Sequence, residues 1–439
     1  MRFSTAGTPR IVTCADETDK HMVLPRGCRA ELLELLREER IRPELLDETT
    51  TGRPIEATFH GELTRPQADA SHAVLAHDIG VLVAPPGAGK TVVAAHAIAQ
   101  RSVNTLILVH RKPLLEQWIE RLSMFLGVDA KAIGIVGAGK NRRTGLIDVA
   151  MLQSLVRKGE VQDLVADYGH VIVDECHHVS ASSFERVLSE AKARYVLGLT
   201  ATPRRRDGHH PIVEMQLGPV RFTVDSRSLA ARAGVEHKLV ARATSFSAAW
   251  SRERGIQDLY ARLAADEARN ALILNDVLAA LEEGRSPLVL TERRDHLDLL
   301  ANALRPATRN LIVLHGGMKA AQRKAALARL SEIPKDDERV VVATGRYIGE
   351  GFDDPRLDTL VLAMPVAWRG TLVQYAGRLH RKQHGKTEVR VHDYVDSAVP
   401  VLAKMFEKRL RGYRAIGYVR EDSAPAAREK PLTIEYDAS

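Results

Sequence analysis

VLVAPPGAGKT, residues Val81–Thr91, continues an apolar run that starts at Ile79 and leads into VVAAHAIAQ, Val92–Gln100. That order reads as a strand, a glycine turn and a helix start, the geometry that aims backbone N–H groups at a phosphate chain. Gly87 and Gly89 let the backbone curl where a Cβ would clash. Lys90 has the reach for β- and γ-phosphates, and the Thr91 hydroxyl suits a Mg2+ ion. Pro86, Ala88 and Val92 complete the cradle. The first position of the GxxxxGK[ST] pattern is Ala84, so the strict pattern fails by one residue. With a strand before it and a helix after it, the loop still implies a nucleoside triphosphate site.

The chain has 439 residues, enough for two or three domains. Its 45% hydrophobic and 27% charged content is that of an ordinary globular protein. No apolar run approaches the ~20 residues that span a bilayer, and MRFSTAGTPRIVTC, Met1–Cys14, has no apolar signal core. Cys14, Cys28 and Cys176 are far apart in sequence and supply no disulfide framework, which fits a reducing cytoplasm. A balance of 63 basic against 56 acidic residues leaves +7, a weak pull toward a polyanionic partner.

Two blocks alternate short β runs with amphipathic segments, the pattern of parallel α/β sheets. The first has candidate strands at Ile79–Ala84, Thr105–His110, Ile147–Met151, His170–Asp174 and Tyr195–Leu199. The second has them at Pro287–Thr291, Leu311–Leu314, Arg339–Ala343, Thr359–Ala363 and Glu388–Val391. The expected domains are an N-terminal α/β appendage over 1–60, a nucleotide-binding block over 61–225, a linker over 226–266, a second block over 267–420 and a tail over 421–439.

VIVDECHH, Val171–His178, delivers Asp174 and Glu175 to the carboxyl end of a strand, where ligands bind in open parallel sheets. Asp174 is placed to hold hydrated Mg2+, and Glu175 to orient and deprotonate the water that attacks the γ-phosphate. Cys176, His177 and His178 invite a zinc reading, but no second Cys or His pair lies at zinc-finger spacing. His177 reads better as a hydrogen-bonding relay. GLTATPRRRDG, Gly198–Gly208, ends a strand in Thr200 and Thr202, hydroxyls suited to coupling the catalytic edge to a neighbouring domain. In QYAGRLHR, Gln374–Arg381, Arg378 and Arg381 share a helix face and suit the charge of a phosphoryl transition state. GAGK at Gly137–Lys140 lacks the following hydroxyl and reads as a surface turn.

These motifs, in this order, resemble those of superfamily 2 helicases and translocases of the DEAD/DEAH type. Within that group the chain is similar to the XPB-like and type III restriction-type motors, and to UvsW-like helicases. Leu24–Pro54 with FHGELTRPQ also looks like the helicase arm of TOTE-type conflict systems. The resemblance runs from about Leu63 to Val395 and implies two tandem RecA-like domains, with ATP and Mg2+ as cofactors. It implies that Gln67, with Arg65 nearby, reads adenine. DECH is then motif II and TATP motif III. Gly351 and Asp353 of ATGRYIGEGFD lie in motif V near the nucleotide, and Gln374, Arg378 and Arg381 are motif VI, with the arginines delivered from the second block. His110, Arg111, Gln153, Ser154 and Thr344 are the implied nucleic-acid contacts.

Arg204–Arg206 and the basic run Lys404–Arg414 could add attraction, although a solvated helix face is the default reading of the latter. Aromatic residues are 5% of the chain, so the expected grip is on phosphates rather than by base stacking. The expectation is a cytoplasmic, monomeric ATPase that moves on or unwinds nucleic acid, DNA ahead of RNA, in repair, recombination or defence. Two alternatives stay open: a motor subunit of a restriction or defence complex with no unwinding of its own, and an RNA helicase.

Overall fold

Strand-length runs of Val, Leu and Ile without polar interruption can be buried on both faces, and the sequence supplies two sets of them. The computed structural model describes residues 14–421 except 18, 20, 158–159, 179–180, 202–209, 226–233, 251–254, 349–351, 353, 367–368 and 381–384. The chain divides into two units, residues 1–229 and 230–439, each built on one largely parallel sheet. It is an α/β protein with two tandem RecA-like sheets.

In the first unit the strand order is Val220–Thr223, Ile79–Val83, Tyr195–Thr200, His170–Val173, Thr105–Val109, Ile147–Met151, Gly134–Gly137, Lys140–Arg142. Every neighbouring pair is parallel except the final hairpin. The five expected strands are present with ends shifted by at most one residue. The GAGK turn is the tip of that hairpin, with Gly137, Ala138 and Gly139 all at positive φ. Parallel pairing gathers the strand ends onto one carboxyl edge. The residues that follow them there include Ala84, His110 and Asp174.

The opposite edge is laced by the N-terminal segment. Thr50 bridges Ala193 and Pro54 bridges Val103, while the Arg26 guanidinium donates to the carbonyls of Leu188, Ala191 and Ala193. Helix Arg29–Glu38, the main regular element of the expected appendage, has no buried residue. Asn104 joins this lacing to the sheet. Its Oδ1 accepts from the N–H groups of Arg53 at 2.9 Å and Gly169 at 3.0 Å, and its Nδ2 donates to the carbonyls of Gly145 at 3.2 Å and Asp167 at 2.9 Å. Gly52, at φ 71°, must be glycine: a Cβ there would lie 2.1 Å from Asn104 Oδ1.

The second unit orders its strands Leu311–Leu314, Val340–Thr344, Pro287–Thr291, Thr359–Leu362, Glu388–Val395, Glu236–Ala243, Val419–Glu421, all parallel. Here the sequence reading needs correcting. Residues 226–266, read as linker, contain the strand Glu236–Ala243, paired along its length with Glu388–Val395, and the helix Gly255–Ala265. Its charges disguised it. They are paired, Lys238 with Glu388 on the neighbouring strand at 2.5 Å and Arg242 with Asp276 on the helix Glu267–Glu282 at 2.8 Å. Of the expected tail, 422–439 lie outside the described residues.

The Asn104 junction yields a stability test. Asn104→Ala strands two N–H groups and two carbonyls, and we expect a loss of about 3 kcal/mol in chemical denaturation. An unchanged midpoint would show that the junction contributes nothing.

Candidate nucleotide site

The phosphate loop is built as its residue types require. The strand Ile79–Val83 is buried from Gly80 onward, and Ala84 continues it, its N–H donating to Thr200 O at 2.9 Å. Ala84 therefore keeps a strand conformation that needs no glycine, which accounts for the departure from the strict pattern. The curl comes later, at Gly87 (φ 86°) and Gly89 (φ 89°), and Lys90 opens the helix Lys90–Arg101. Lys90 Nζ lies 3.1 Å from Ala84 O and 3.5 Å from Glu175 Oε1. Gln67 sits against this loop: its Nε2 donates to Ala88 O at 3.1 Å, while its Oε1 accepts from Thr64 N–H in a capping box. A Cβ on Gly89 would meet Gln67 Nε2 at 2.3 Å, so loop and glutamine share one packed corner. Arg65 stands at the exposed start of the same helix.

Asp174 follows the strand His170–Val173 and is 7% exposed. Its Oδ2 accepts from the Trp118 indole Nε1 at 2.8 Å, and its Oδ1 from the Glu175 N–H at 2.9 Å. Burial and the neighbouring Glu175 carboxylate push its pKa up to about 6, against the pull of the Trp118 hydrogen bond and the Lys90 charge. Glu175 has φ 47°, a left-handed backbone seldom adopted outside glycine and the mark of a constrained turn. From it the carboxylate faces Lys90 on one side and His177 Nδ1, 3.4 Å away, on the other. His177 Nδ1 also lies 2.7 Å from Thr200 Oγ1. The expected relay is a chain of contacts from Glu175 through His177 to Thr200. Cys176 is fully buried, its thiol pushed up by burial.

The donor set suits Mg2+, a hard cation that takes one or two carboxylates and leaves its other positions to water and substrate phosphate. Asp174 keeps a further lone pair on each oxygen, and the Thr91 hydroxyl lies in the first turn of the loop helix.

At the same carboxyl edge, His110 and Arg111 follow the strand Thr105–Val109, and Gln153 Nε2 donates to His110 O at 2.9 Å. Ser154 stands beside Gln153 in one short helical turn. Four of the implied nucleic-acid contacts are thus brought together. In the second unit, Thr344 ends its strand beside Gly345, whose Cβ would collide with Tyr375 Oη at 2.1 Å and Glu292 Oε1 at 2.5 Å. Gln374 is buried, and Arg378 follows in a turn with its N–H on Tyr375 O at 3.1 Å. Thr202, Arg204–Arg206, Gly351, Asp353 and Arg381 lie outside the described residues.

Several residues with specific buried partners escaped the sequence reading. Trp118 holds Asp174. Lys386 donates to the carbonyls of Pro355 at 2.6 Å, Leu357 at 2.7 Å and Leu379 at 3.2 Å, and burial lowers its pKa to about 8. His380 stacks on His237 with centroids 4.4 Å apart and lies 3.1 Å from Tyr418 Oη, and burial lowers its pKa to about 3.

Comparison with known proteins gives the same architecture. The profile "Type III restriction enzyme, res subunit" matches residues 60–205, and "Helicase conserved C-terminal domain" matches 270–383. A protein of Acanthamoeba polyphaga mimivirus, named for ATP-dependent RNA helicase activity, is 26% identical over 332 residues, 72% of this chain and 60% of that protein. The DNA 3'-5' translocase XPB2 of Sulfurisphaera tokodaii is 33% identical over 178 residues, 40% of this chain and 39% of that protein. This chain thus spans less than two thirds of either relative. A fragment structure assigned to the HsdR subunit of a type I restriction enzyme from Vibrio vulnificus shares the fold, with TM-score 0.60 and 19% identity over 89% of this chain and 73% of that one. Among the described residues no helix is long and apolar enough to cross a membrane.

The raised Asp174 pKa makes a stability prediction. A carboxyl whose pKa rises on folding stabilises the fold at low pH, and that contribution is lost as pH climbs from 3.8 through about 6. Asp174→Asn removes the loss. In metal-free buffer at pH 7.5 we expect the variant to be the more stable by at most about 3 kcal/mol. The gap should close below pH 3.8, and a thermal melt series across that range reads it.

Proposed function

We propose, for a chain that belongs to the superfamily 2 helicases, that it couples ATP hydrolysis to movement along, or unwinding of, nucleic acid, with DNA preferred. The observation that carries this reading is the meeting of Lys90, Asp174 and Glu175 at one sheet edge, with Lys90 Nζ 3.5 Å from Glu175. On this reading Lys90 and the loop N–H groups bind the triphosphate, while Gln67 and Arg65 face the base. Asp174 and Thr91 hold Mg2+, which when bound offsets charge on the phosphate oxygens. Glu175 takes the proton of the attacking water, and its constrained turn keeps that carboxylate at the phosphate side of the edge. His177 and Thr200, with Thr202, pass the change at Glu175 into the body of the unit. Gln374, Arg378 and Arg381 are the second unit's candidates for phosphate-binding donors and charge, and Gly351 and Asp353 its candidates for nucleotide contact.

His110, Arg111, Gln153, Ser154 and Thr344 grip the strand by its phosphates, so binding is salt-sensitive and tolerant of sequence. DNA is favoured by the likeness to the Sulfurisphaera tokodaii relative, which is named as a DNA translocase. The reading takes the chain as a cytoplasmic monomer with repair or defence proteins as candidate partners. A second reading, a motor subunit that moves within a restriction assembly without unwinding alone, draws on the res-subunit match over 60–205.

ATPase measured with single-stranded, duplex and forked DNA and with RNA tests both. We expect strong stimulation by nucleic acid, DNA above RNA. Glu175→Gln should lower the stimulated rate by about two orders of magnitude or more, and Lys90→Ala should abolish it. Equal hydrolysis with and without any nucleic acid would dismiss the motor reading. Stimulated hydrolysis with no strand displacement would select the second.

A further inference from the structure

The sequence LLEQWIERLSMFL places Leu114, Leu115, Trp118, Leu122 and Leu126 on the buried face of the helix Lys112–Leu126. At such a position a large apolar side chain is ordinarily core, and volume alone would be served by phenylalanine. The indole does something volume does not. It is 1% exposed, and its one polar atom, Nε1, is spent on Asp174 Oδ2 at 2.8 Å.

The consequence lies in what holds Asp174 still. A carboxylate at the end of a strand rotates about two side-chain torsions and can present either oxygen. Here Oδ1 is taken by a backbone N–H, that of Glu175 at 2.9 Å, and Oδ2 by a ring packed in the core. Neither donor can follow a rotating carboxylate. The plane of the group is therefore set from behind, and its remaining lone pairs are left in one orientation. Partners in the outer shell of a metal site commonly act this way, by fixing the orientation and basicity of the ligand.

We propose that Trp118 is a positioning residue for Asp174 as the Mg2+ ligand, acting through the indole N–H rather than through the bulk of the ring. This rests on the reading that Asp174 holds the ion. Trp118 touches neither nucleotide nor metal.

The test reads metal binding at equilibrium in the full chain, with no turnover. Binding of a fluorescent non-hydrolysable ATP analogue is titrated with Mg2+ for wild type, Trp118→Phe and Asp174→Asn. We expect Trp118→Phe to raise the Mg2+ half-saturation about tenfold while leaving the metal-free affinity for the analogue, measured in EDTA, unchanged. A merely structural role would move both values or neither. The chain has three tryptophans, so Trp250→Phe with Trp368→Phe leaves Trp118 as the sole indole reporter. Its emission should shift on adding Mg2+ with the analogue, with the same midpoint.

Should Trp118→Phe fold poorly, benzothienylalanine incorporated at the sole tryptophan position keeps the ring shape and deletes only the N–H. It should give the same tenfold rise. Half-saturation within twofold of wild type for either replacement overturns the proposal, provided Asp174→Asn loses Mg2+ dependence. If Asp174→Asn keeps wild-type Mg2+ dependence, the assignment of Asp174 itself fails instead.

Discussion

A carboxylate buried at a strand end has to be satisfied by whatever the surrounding fold can bring to it, and Asp174 sets that demand for the first unit. Its three supports come from three elements: the Trp118 indole from the helix after the neighbouring strand, the Glu175 N–H from its own turn, and the Lys90 charge from the helix after the phosphate loop. Only a parallel order in which Thr105–Val109 and His170–Val173 are adjacent, with the loop strand nearby, lets all three converge. The left-handed backbone at Glu175 follows from this. With φ at 47° the residue turns its N–H back to Asp174 and its carboxylate toward Lys90 and His177. Such a conformation costs roughly 1–3 kcal/mol, and the contacts it makes offset that cost.

The two edges of the first sheet are treated differently. The amino edge is tied by hydrogen bonds at Asn104 and by the N-terminal lacing. The carboxyl edge carries Lys90, Asp174 and the left-handed Glu175. In the second unit, Arg269 with Asp396, Arg339 with Asp354 and Arg409 with Asp393 are ion pairs whose side chains are at most 7% exposed. Buried pairs of this kind add little net stability but penalise any arrangement that separates them. Lys386 does the same for backbone, tying the Pro355–Leu357 turn to Leu379 with one ammonium.

What could be read from sequence was whatever has a short period. Apolar runs gave ten strands, and glycine placement gave the loop and the hairpin tip. Glu236–Ala243 escaped because Glu236, Lys238 and Arg242 interrupt its apolar pattern, and Glu388 and Asp276, which pair with Lys238 and Arg242, lie far away in sequence. Gly134–Gly137 escaped because glycine is a poor strand former, although all four residues are buried. Trp118 escaped for a third reason. Its helical spacing is that of an ordinary core residue, and its role lies in the direction of one N–H, which only a tertiary neighbour defines.

The helix that carries Trp118 has a further property once both ends are considered. It begins at Arg111, its N-terminal flanking residue, directly after His110, whose carbonyl accepts from Gln153. Trp118 comes two turns later, about 10 Å along the axis. One rigid element thus has its start among the implied phosphate contacts and its buried face on the Asp174 carboxylate. The contact chain from Glu175 through His177 to Thr200 leaves the same turn in another direction, toward the strand Tyr195–Thr200 beside the loop strand. On the function proposed above, hydrolysis has to depend on the strand that is held. In this unit Asp174 and its neighbour Glu175 are the two points at which a shift of that helix and a change at the phosphates would act on adjacent carboxylates.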